Sequence, residues 1–351
     1  MSEYLEKVKN LEIKDNPIIM GIETSCDETA VAIVKGGREI LADEIISSAT
    51  EHARFGGVVP EIASRNHTVA IQIAVERALK SANLTLNDID AFAVTQGAGL
   101  LGALLVGVSY AKSLAYALNK PLVPVSHIRG HISASYLADK SLEPPFITIL
   151  ASGGHTAICK VDDYYHLEIL GSTIDDAVGE AFDKVARVLG LNYPGGPNVE
   201  RLAKEGENTV KLPAMLKNYV GSEYDFSYSG LKTAVLNYVH TKEQKGEEYS
   251  RADLANSFQH SAIDVLIDKA VMAVNKTGYK TIALCGGVGA NGYLRDALAK
   301  RVKDKDIKLV IPEKRYCTDN GAMIAAEGFL QYKLKNFADL DLNAKAVVPL
   351  E

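Results

Sequence analysis

The hydrophobic pattern of this chain alternates between strand-like and helix-like periods. Residues 17–46 predict a strand, the polar loop SCDET, a second strand, a turn at Gly36 and Gly37, and a third strand. Short apolar runs at 91–95 and 121–126 predict two more strands. Strands and helices that alternate in this way indicate an α/β fold.

Two helices are predicted among these strands. The apolar face of the first consists of Val69, Ala70, Ile73, Ala74 and Ala78. The second is the glycine-bearing stretch Gly99–Ala111. This stretch is too short to span a bilayer and predicts a buried helix.

The opening pattern returns after the break at Pro144 and Pro145. Residues 146–161, FITILASGGHTAICKV, repeat the layout of IIMGIETSCDETAVAIV, with Thr29 and Thr156 in matching places. The duplication predicts two similar α/β domains with a ligand cleft between them. The predicted parts are a leader of unknown role, the first domain, the second domain and a segment that returns to the first: 1–16, 17–144, 145–316 and 317–351.

Two later segments complete the second domain. Residues 172–190 predict an amphipathic helix, and residues 281–301 predict a strand, a glycine turn and a helix. The apolar face of the first helix comprises Ala177, Val178, Ala181, Phe182, Val185 and Leu189, opposite Asp176, Glu180, Asp183 and Arg187.

The composition is that of an ordinary globular protein, with 47% hydrophobic and 23% charged residues among 351. A net charge of −6 argues against non-specific coating of nucleic acid or anionic membrane, although it leaves room for a local basic patch. The four cysteines form no C-x-x-C pair, which disfavours a zinc ribbon or a disulfide framework and fits a reducing cytoplasm. The charged leader lacks the apolar core of a secretory signal.

Three glycine loops favour nucleotide binding: ASGGHT (151–156), YPGGP (193–197) and CGGVGAN (285–291). Glycine lets backbone N–H groups approach a phosphate, and a following helix N-terminus adds a favourable dipole. The P-loop pattern is absent, so ordinary turns remain the alternative.

His127 and His131 stand four residues apart in SHIRGH. On a helix they share one face, where two imidazoles can bind one metal ion. The intervening residues include no glutamate, unlike the H-E-x-x-H pattern of zinc proteases. Local packing is the alternative for the pair. Asp319 is a candidate third ligand, and a helix N-cap is its alternative role.

Nine segments form an ordered set: GIETSCDETAVAIV, FGGVVPEIASR, SHIRGH, LASGGHT, DDAVGEAFDKVAR, YPGGP, DFSYSGLKTAV, CGGVGAN and CTDNGAMIA. Together they resemble the TsaD-type family of tRNA N6-adenosine threonylcarbamoyltransferases over roughly residues 18–330. The ETSCDET form is similar to the bacterial and organellar branch.

The resemblance implies a fold and a reaction. The fold is that of actin-like ATPases and sugar kinases, with two duplicated α/β domains around a nucleotide cleft. The reaction moves a threonylcarbamoyl group from threonylcarbamoyl-AMP to N6 of adenosine 37 in tRNAs that read ANN codons, and releases AMP. The alternatives are a metalloprotease of the glycoprotein-cleaving type, a small-molecule kinase of the same fold, and a non-catalytic scaffold.

The resemblance also implies site residues. His127, His131 and Asp319 match the ligands of one divalent metal ion, iron or zinc. The loop against the adenylate donor matches Leu150, Ala151, Ser152, Gly153 and Gly154. Further donor contacts match Asp183, Gly196, Glu200 and Asn291. Many relatives carry aspartate in place of Glu200, and archaeal relatives carry a metal-binding tyrosine in place of Leu150.

The donor is an activated mixed anhydride, so the chemistry requires no protein nucleophile. We hypothesise that one of Glu23, Asp27 and Glu28, taken to lie in the loop that faces the cleft, positions the amine or accepts its proton. Shaping of the loop is the alternative role for these acids.

The expected partners are tRNA, a paralogous TsaB-type chain with a small TsaE-type ATPase, or a second copy in a homodimer, with no membrane. Basic residues near the signature segments are Arg54, Arg65, Arg129 and Lys232, for which solvated surface charge is the default role.

Overall fold

A computed structural model describes residues 2–216 and 219–348. They form two compact units. Unit 1 comprises the chain up to Leu142 and the segment from Asp319 onward, and unit 2 comprises Glu143–Thr318. The second sequence segment of unit 1 therefore begins at the candidate metal ligand Asp319.

Unit 1 is a five-stranded sheet covered by helices. Its strands are β1 Ile18–Glu23, β2 Glu28–Lys35, β3 Glu39–Ser47, β4 Ala91–Gly97 and β5 Leu122–Ser126. Its helices are α1 Glu3–Lys9, α2 Ala49–Ala53, α3 Pro60–Ala82, α4 Leu101–Leu118, α5 His127–Ala138 and, after unit 2, α11 Gly321–Lys333. The strand order is β3-β2-β1-β4-β5, with β1, β2 and β3 antiparallel and β4 and β5 parallel to β1.

Unit 2 repeats this topology. Its strands are β6 Phe146–Ala151, β7 Thr156–Val161, β8 Leu167–Ser172, β9 Thr281–Cys285 and β10 Lys308–Val310. Its helices are α6 Val178–Val188, α7 Gly195–Ala203, α8 Ser229–Lys245, α9 Arg251–Thr277 and α10 Gly292–Val302. The order β8-β7-β6-β9-β10 has the same antiparallel and parallel pairs as unit 1, so the predicted duplication is confirmed.

Small residues let α11 lie directly on the sheet of unit 1. A Cβ atom on Gly21 would lie 2.2 Å from the carbonyl oxygen of Gly321, and one on Gly321 would lie 2.3 Å from the Ala32 nitrogen. A Cβ atom on Gly328 would likewise lie 2.4 Å from the Cβ atom of Ala93. This close approach fixes the start of α11 against the sheet, and Asp319 stands two residues before that start.

The predicted inner face of α3 is right for Ala70, Ala74 and Ala78, which are buried, and wrong for its two larger residues. Val69 and Ile73 are 70% and 40% exposed, whereas the buried stripe includes His67, Ile71 and Val75. Ile71 and Val75 are as large as the two exposed residues, so side-chain size does not decide which stripe of α3 is buried.

Helix α4 is longer than the apolar stretch that predicted it. It runs for 18 residues, which by length and composition is enough to cross a membrane, and it is the one such helix in the described residues. It packs on α3 and β4 as a core helix does, but Leu101 and Leu105 are 49% and 39% exposed. The expectation of a buried helix therefore holds for one side only.

The leader packs on unit 1. The Tyr4 hydroxyl of α1 donates to the Lys120 carbonyl at 2.7 Å, and Val8 is fully buried. Lys335 Nζ donates to the Lys9 carbonyl at 3.0 Å. The leader thus connects segments that lie far apart in the sequence of unit 1.

Candidate metal centre and nucleotide loops

The candidate metal centre lies at the carboxyl ends of three neighbouring strands. Glu23 ends β1, Thr95 lies near the end of β4, and His127 directly follows β5. Polar side chains at the ends of adjacent parallel strands converge at one edge of the sheet, where α/β proteins bind ligands. The order β1-β4-β5 therefore brings these three side chains together.

His127 and His131 share a face of α5, as predicted. Their ring centroids are 4.6 Å apart and the rings are nearly perpendicular, at 79°. Asp319 Oδ1 lies 3.5 Å from His127 Nε2 and 3.2 Å from His131 Nε2. The three candidate ligand atoms lie within 4.8 Å of one another, a spacing that suits a single metal ion.

Asp319 is not the N-cap of α11. That role belongs to Asn320, whose side chain accepts from the Met323 backbone N–H at 2.9 Å. The alternative role predicted for Asp319 is therefore wrong. Asn320 caps the helix, so the carboxylate next to it can face the two histidines.

His131 provides the test of whether a metal fits. It is 1% exposed, and neither ring nitrogen makes a hydrogen bond within the described parts of the chain. A buried imidazole whose nitrogens make no well-formed hydrogen bond costs stability, and such groups are rare in folded proteins. A metal ion bound by His131, His127 and Asp319 would satisfy this histidine, so the residues fit the group.

Glu23 orients His127. Its Oε2 accepts from His127 Nδ1 at 3.0 Å and from the Thr95 hydroxyl at 2.5 Å, and its Oε1 accepts from the Ser25 N–H at 2.5 Å. With Nδ1 donating to this carboxylate, His127 presents Nε2 towards Asp319. Burial opposes a charge on His127, but the carboxylates of Asp319 and Glu23 outweigh it and raise its pKa to about 9.

The sequence suggested that Glu23 and Glu28 lie in the loop, but in the structure both belong to strands. Glu23 ends β1 and Glu28 begins β2, so only Asp27 of the three acids is a loop residue. Burial raises the pKa of Glu28 to about 9, and the nearby charges of Asp27 and Asp319 add to the effect. Glu28 is therefore protonated at neutral pH in the metal-free protein. Sequence analysis gave no sign of these different environments.

Two buried histidines that sequence analysis missed fix the SCDET loop through hydrogen bonds. His67 of α3 bonds through Nε2 to the Cys26 carbonyl at 2.9 Å and through Nδ1 to the Thr29 hydroxyl at 2.7 Å. His52 of α2 reaches the loop through Ser48. One sequence signal could have found them: a histidine among the apolar residues of a helix that follows a polar loop.

A buried carboxylate joins α5, which carries both candidate histidines, to α11, which begins two residues after Asp319. Glu327 of α11 is 2% exposed and accepts from Arg129 Nε at 3.0 Å and from the Ser133 hydroxyl at 2.7 Å, both on α5. The Gln331 amide donates to it as well, at 2.7 Å. Arg129 is thus a structural residue and not simply a solvated charge.

In unit 2 the predicted donor loop occupies the place that SCDET holds in unit 1. Leu150 and Ala151 end β6 and are fully buried, and Ser152 is nearly so. Gly153 and Gly154 are exposed, and a Cβ on either would meet no atom within 4 Å. Neither packing nor a positive φ therefore requires glycine at these two positions.

Other glycines of these loops are required by packing. A Cβ on Gly195 would lie 2.5 Å from the Asp183 backbone, and one on Gly286 would lie 2.4 Å from the Ala151 carbonyl oxygen. Gly286 also has a φ of +88°. Gly196 resembles Gly153 instead, with nothing within 4 Å of an added Cβ.

The remaining predicted donor residues bind the glycine loops. Asp183 Oδ1 accepts from the Gly195 N–H at 2.8 Å, and Glu200 Oε1 accepts from the Gly292 N–H at 3.2 Å. Asn291 caps α10, and its amide donates to Gln259 at 2.9 Å. These contacts link the loops to their helices, and the donor contacts themselves stay a prediction.

Comparison with known proteins identifies the family. The profile of TsaD: tRNA N6-adenosine threonylcarbamoyltransferase matches residues 39–326. The chain belongs to this family. A TsaD relative named tRNA N6-adenosine threonylcarbamoyltransferase, from Clostridium botulinum (strain 657), is 51% identical over 95% of this chain and 97% of its own length. A relative of the same name from Clostridium perfringens (strain ATCC 13124) is 50% identical over 94% of this chain and 97% of its own length.

Solved structures agree with the α/β, actin-like ATPase fold implied by the TsaD resemblance. HypF from T. kodakarensis superposes with a TM-score of 0.64 at 17% identity, over 93% of this chain and 49% of HypF. Component A of the Acidaminococcus fermentans (R)-2-hydroxyglutaryl-CoA dehydratase gives 0.53 at 16% identity, over 91% and 99%. At these identities the likeness concerns the fold alone. The TsaD relatives are named as transferases, which favours the main prediction over the protease and kinase alternatives.

Proposed function

We propose that this chain transfers the threonylcarbamoyl group from threonylcarbamoyl-AMP to N6 of adenosine 37 in tRNAs that read ANN codons, releasing AMP. The observation that carries the proposal is membership of the TsaD family, with relatives about 50% identical over nearly the whole chain. The site residues support it individually.

His127, His131 and Asp319 would hold one divalent metal ion, iron or zinc. The mixed donor set of two imidazoles and one carboxylate suits either metal and leaves coordination positions open. When bound, the ion would supply a Lewis acid that polarises the acyl oxygen of the threonylcarbamoyl group. Glu23 keeps the Nε2 atom of His127 available for this purpose.

The loops of unit 2 would bind the adenylate. Gly153, Gly154 and Gly196 leave open space where a side chain would otherwise stand, so a phosphate could approach the backbone of these loops. Asp183, Glu200 and Asn291 stabilise the neighbouring glycine turns and complete the proposed donor site together with Leu150, Ala151 and Ser152.

Among the three candidate acids, we propose Asp27 as the group that positions the amine or accepts its proton. Glu23 is fully buried and both of its oxygens are engaged. Glu28 holds its own proton near neutral pH because burial and the adjacent Asp27 raise its pKa. Asp27 is a loop residue that retains a small exposed surface, 7%.

A paralogous TsaB-type chain is the partner we propose for the outer face of α3 and α4, with a small TsaE-type ATPase completing the assembly. Val69, Ile73, Leu101 and Leu105 expose apolar surface on these two packed helices, which suits a second helix pair. A homodimer through the same face is the alternative. The proposed location of the chain is the cytoplasm, where its tRNA substrate is found.

The test is a direct assay of product. The purified chain is mixed with threonylcarbamoyl-AMP and an unmodified ANN-decoding tRNA transcript, with and without partner proteins, and the digested tRNA is analysed by mass spectrometry for threonylcarbamoyladenosine. We expect product from the wild type and none from His127→Ala. His166→Ala, which changes a histidine that is 79% exposed, is the matched control and should behave as wild type. Absence of product from folded, metal-loaded wild type under every condition would contradict the proposal.

A further inference from the structure

The segment between α2 and α3 carries an exposed aromatic ring. Phe55 is 63% exposed, in the sequence Arg54-Phe55-Gly56-Gly57. A Cβ on either glycine would meet no atom within 4 Å, so the segment is open around the ring. Single exposed apolar residues are ordinary on protein surfaces, and exposure alone assigns no role.

The position of this segment gives it meaning, because His52 connects it to the loop that carries Asp27. The His52 carbonyl accepts from the Phe55 N–H at 2.9 Å, and its Nδ1 accepts from the Val59 N–H at 3.2 Å. With Nδ1 an acceptor, Nε2 carries the proton and donates to the Ser48 hydroxyl at 3.1 Å. That hydroxyl donates to the Asp27 carbonyl at 2.8 Å. One fully buried side chain therefore holds the Phe55 segment and the acid loop in a fixed relation.

Arg54 adds a cation beside the ring. It is exposed, and its guanidinium makes no hydrogen bond or ion pair with the residues that the structure describes. Two nearby carboxylates already have partners: Glu51 accepts from the Asn66 amide at 3.1 Å, and Glu61 pairs with Arg65 at 2.9 Å. The guanidinium is thus free to form the two-pronged contact that phosphates favour.

We propose that Phe55 stacks on an unpaired base of the tRNA anticodon loop and that Arg54 binds a neighbouring backbone phosphate. The inference rests on the proposed function, which requires an anticodon-loop base to reach the metal centre. Unpaired RNA bases are recognised by stacking on exposed aromatic rings, with arginine on the backbone. A protein partner fits less well, because a ring flanked by arginine and glycines lacks the apolar surroundings of an interface hot spot.

The chain contains no tryptophan, so Phe55→Trp places a single fluorophore at this position. This full-length variant is titrated with an RNA hairpin that carries the anticodon stem and loop of an ANN-decoding tRNA. We expect the hairpin to quench the tryptophan emission, because a base stacked on indole quenches it, and a hairpin with abasic loop positions should not. Leu236→Trp, at a position of α8 that is 49% exposed, is the matched control and should not be quenched.

Affinity measurements separate stacking from general apolar contact. Phe55→Ala and Phe55→Leu should each weaken hairpin binding about tenfold, because neither offers a π face, whereas Phe55→Tyr and Phe55→Trp should bind as wild type. Arg54→Gln should reduce the dependence of binding on salt by about one phosphate contact.

Four results would each overturn the inference. Two concern emission with the hairpin: no change in Phe55→Trp at saturation, or equal quenching of Leu236→Trp. The other two are wild-type hairpin affinity of Phe55→Leu, and quenching of Phe55→Trp by a purified partner chain in place of the hairpin. Turnover of full-length tRNA by the wild type is measured in parallel. Product formation with undiminished binding by Phe55→Ala overturns this inference alone. A wild type that neither binds the hairpin nor forms product overturns the proposed function, and the inference with it.

Discussion

At the residue scale, Glu23 decides which nitrogen of His127 is available to a metal. Glu23→Gln removes the charge that favours an Nδ1–H donor, and the amide can turn its NH₂ group towards the ring instead. We expect metal affinity to fall by about 10- to 100-fold, the usual effect of losing such a partner. Competition with a chromogenic chelator measures it.

Glu28→Gln is the control for this change. Among the described residues Glu28 makes no hydrogen bond to either histidine and accepts from the Ser47 hydroxyl instead, so Glu28→Gln should bind metal with nearly wild-type affinity. Equal loss in both variants would mean that the loop as a whole, and not Glu23, supports the metal centre.

Two glycines of unit 2 should respond to alanine in opposite ways. Gly286→Ala forces a Cβ to within 2.4 Å of the Ala151 carbonyl at a φ of +88°, which should cost about 2 kcal/mol of unfolding free energy. Gly153→Ala meets no atom and should leave the melting temperature unchanged, but it should weaken binding of AMP about tenfold or more by filling the proposed ligand space. Calorimetry measures both quantities, and normal AMP binding by Gly153→Ala would count against the donor site.

The cluster of candidate metal ligands was predictable at this scale because His127 and His131 are separated by one helical turn. The orienting and supporting residues were not. Glu23 meets His127 across more than one hundred positions of sequence, and the roles of His52 and His67 depend on which side of a helix faces the loop. A sequence alone shows which residue types a site contains. It does not show which residues they contact or which of them are protonated.

At the element scale, Asp176 joins α6 to α8. Its carboxylate accepts from Lys184 at 2.7 Å and from Lys232 at 3.1 Å. Burial works to raise the pKa of Asp176, but hydrogen bonds from the two lysines outweigh it and lower the pKa. A carboxyl with a lowered folded-state pKa stabilises the protein above its unfolded pKa of about 3.9, and this contribution is lost as the pH falls through the folded value.

Asp176→Asn should therefore lower the unfolding free energy at pH 7 by about 1 to 2 kcal/mol and have a smaller effect below about pH 3.5. Urea unfolding at both pH values measures the difference. Glu180→Gln, which removes a more exposed partner of the same Lys184, should cost less than about 0.5 kcal/mol. A loss that is independent of pH would show that Asp176 acts through packing and not through its charge.

Most elements could be predicted because strands and helices differ in hydrophobic period, and the repeated strand order follows from repeated sequence. The orientation of α3 could not. The prediction placed Ala70, Ala74 and Ala78 on the buried side correctly, but it chose Val69 and Ile73 where Ile71 and Val75 are buried instead. Both pairs are apolar and of similar size, so the hydrophobic pattern alone could not decide between them.

At the scale of the whole molecule, the outward stripe of α3 should govern assembly. Ile73→Glu places a charge on a surface that is already 40% exposed, so the chain should fold with an unchanged melting temperature. Binding to the paralogous partner should weaken about tenfold or more, because a charge would be buried without a counter-ion. Analytical ultracentrifugation of the mixture measures it, with Gln72→Glu, an exposed neighbour, as the control.

If Ile73→Glu binds the partner normally but abolishes self-association, the face is a homodimer interface. If neither interaction changes, the exposed apolar stripe of α3 is not a docking surface at all.

Unit 1 is divided in sequence by the whole of unit 2, and Asp319 lies just beyond the division. A ribosome that has already made both histidines must still synthesise all of unit 2 before the third ligand exists. A chain cut short by a premature stop within unit 2 would therefore carry two imidazoles and no carboxylate, and would hold a divalent ion only weakly. At the proposed metal site, only chains whose synthesis has continued through Asp319 would carry all three candidate ligands.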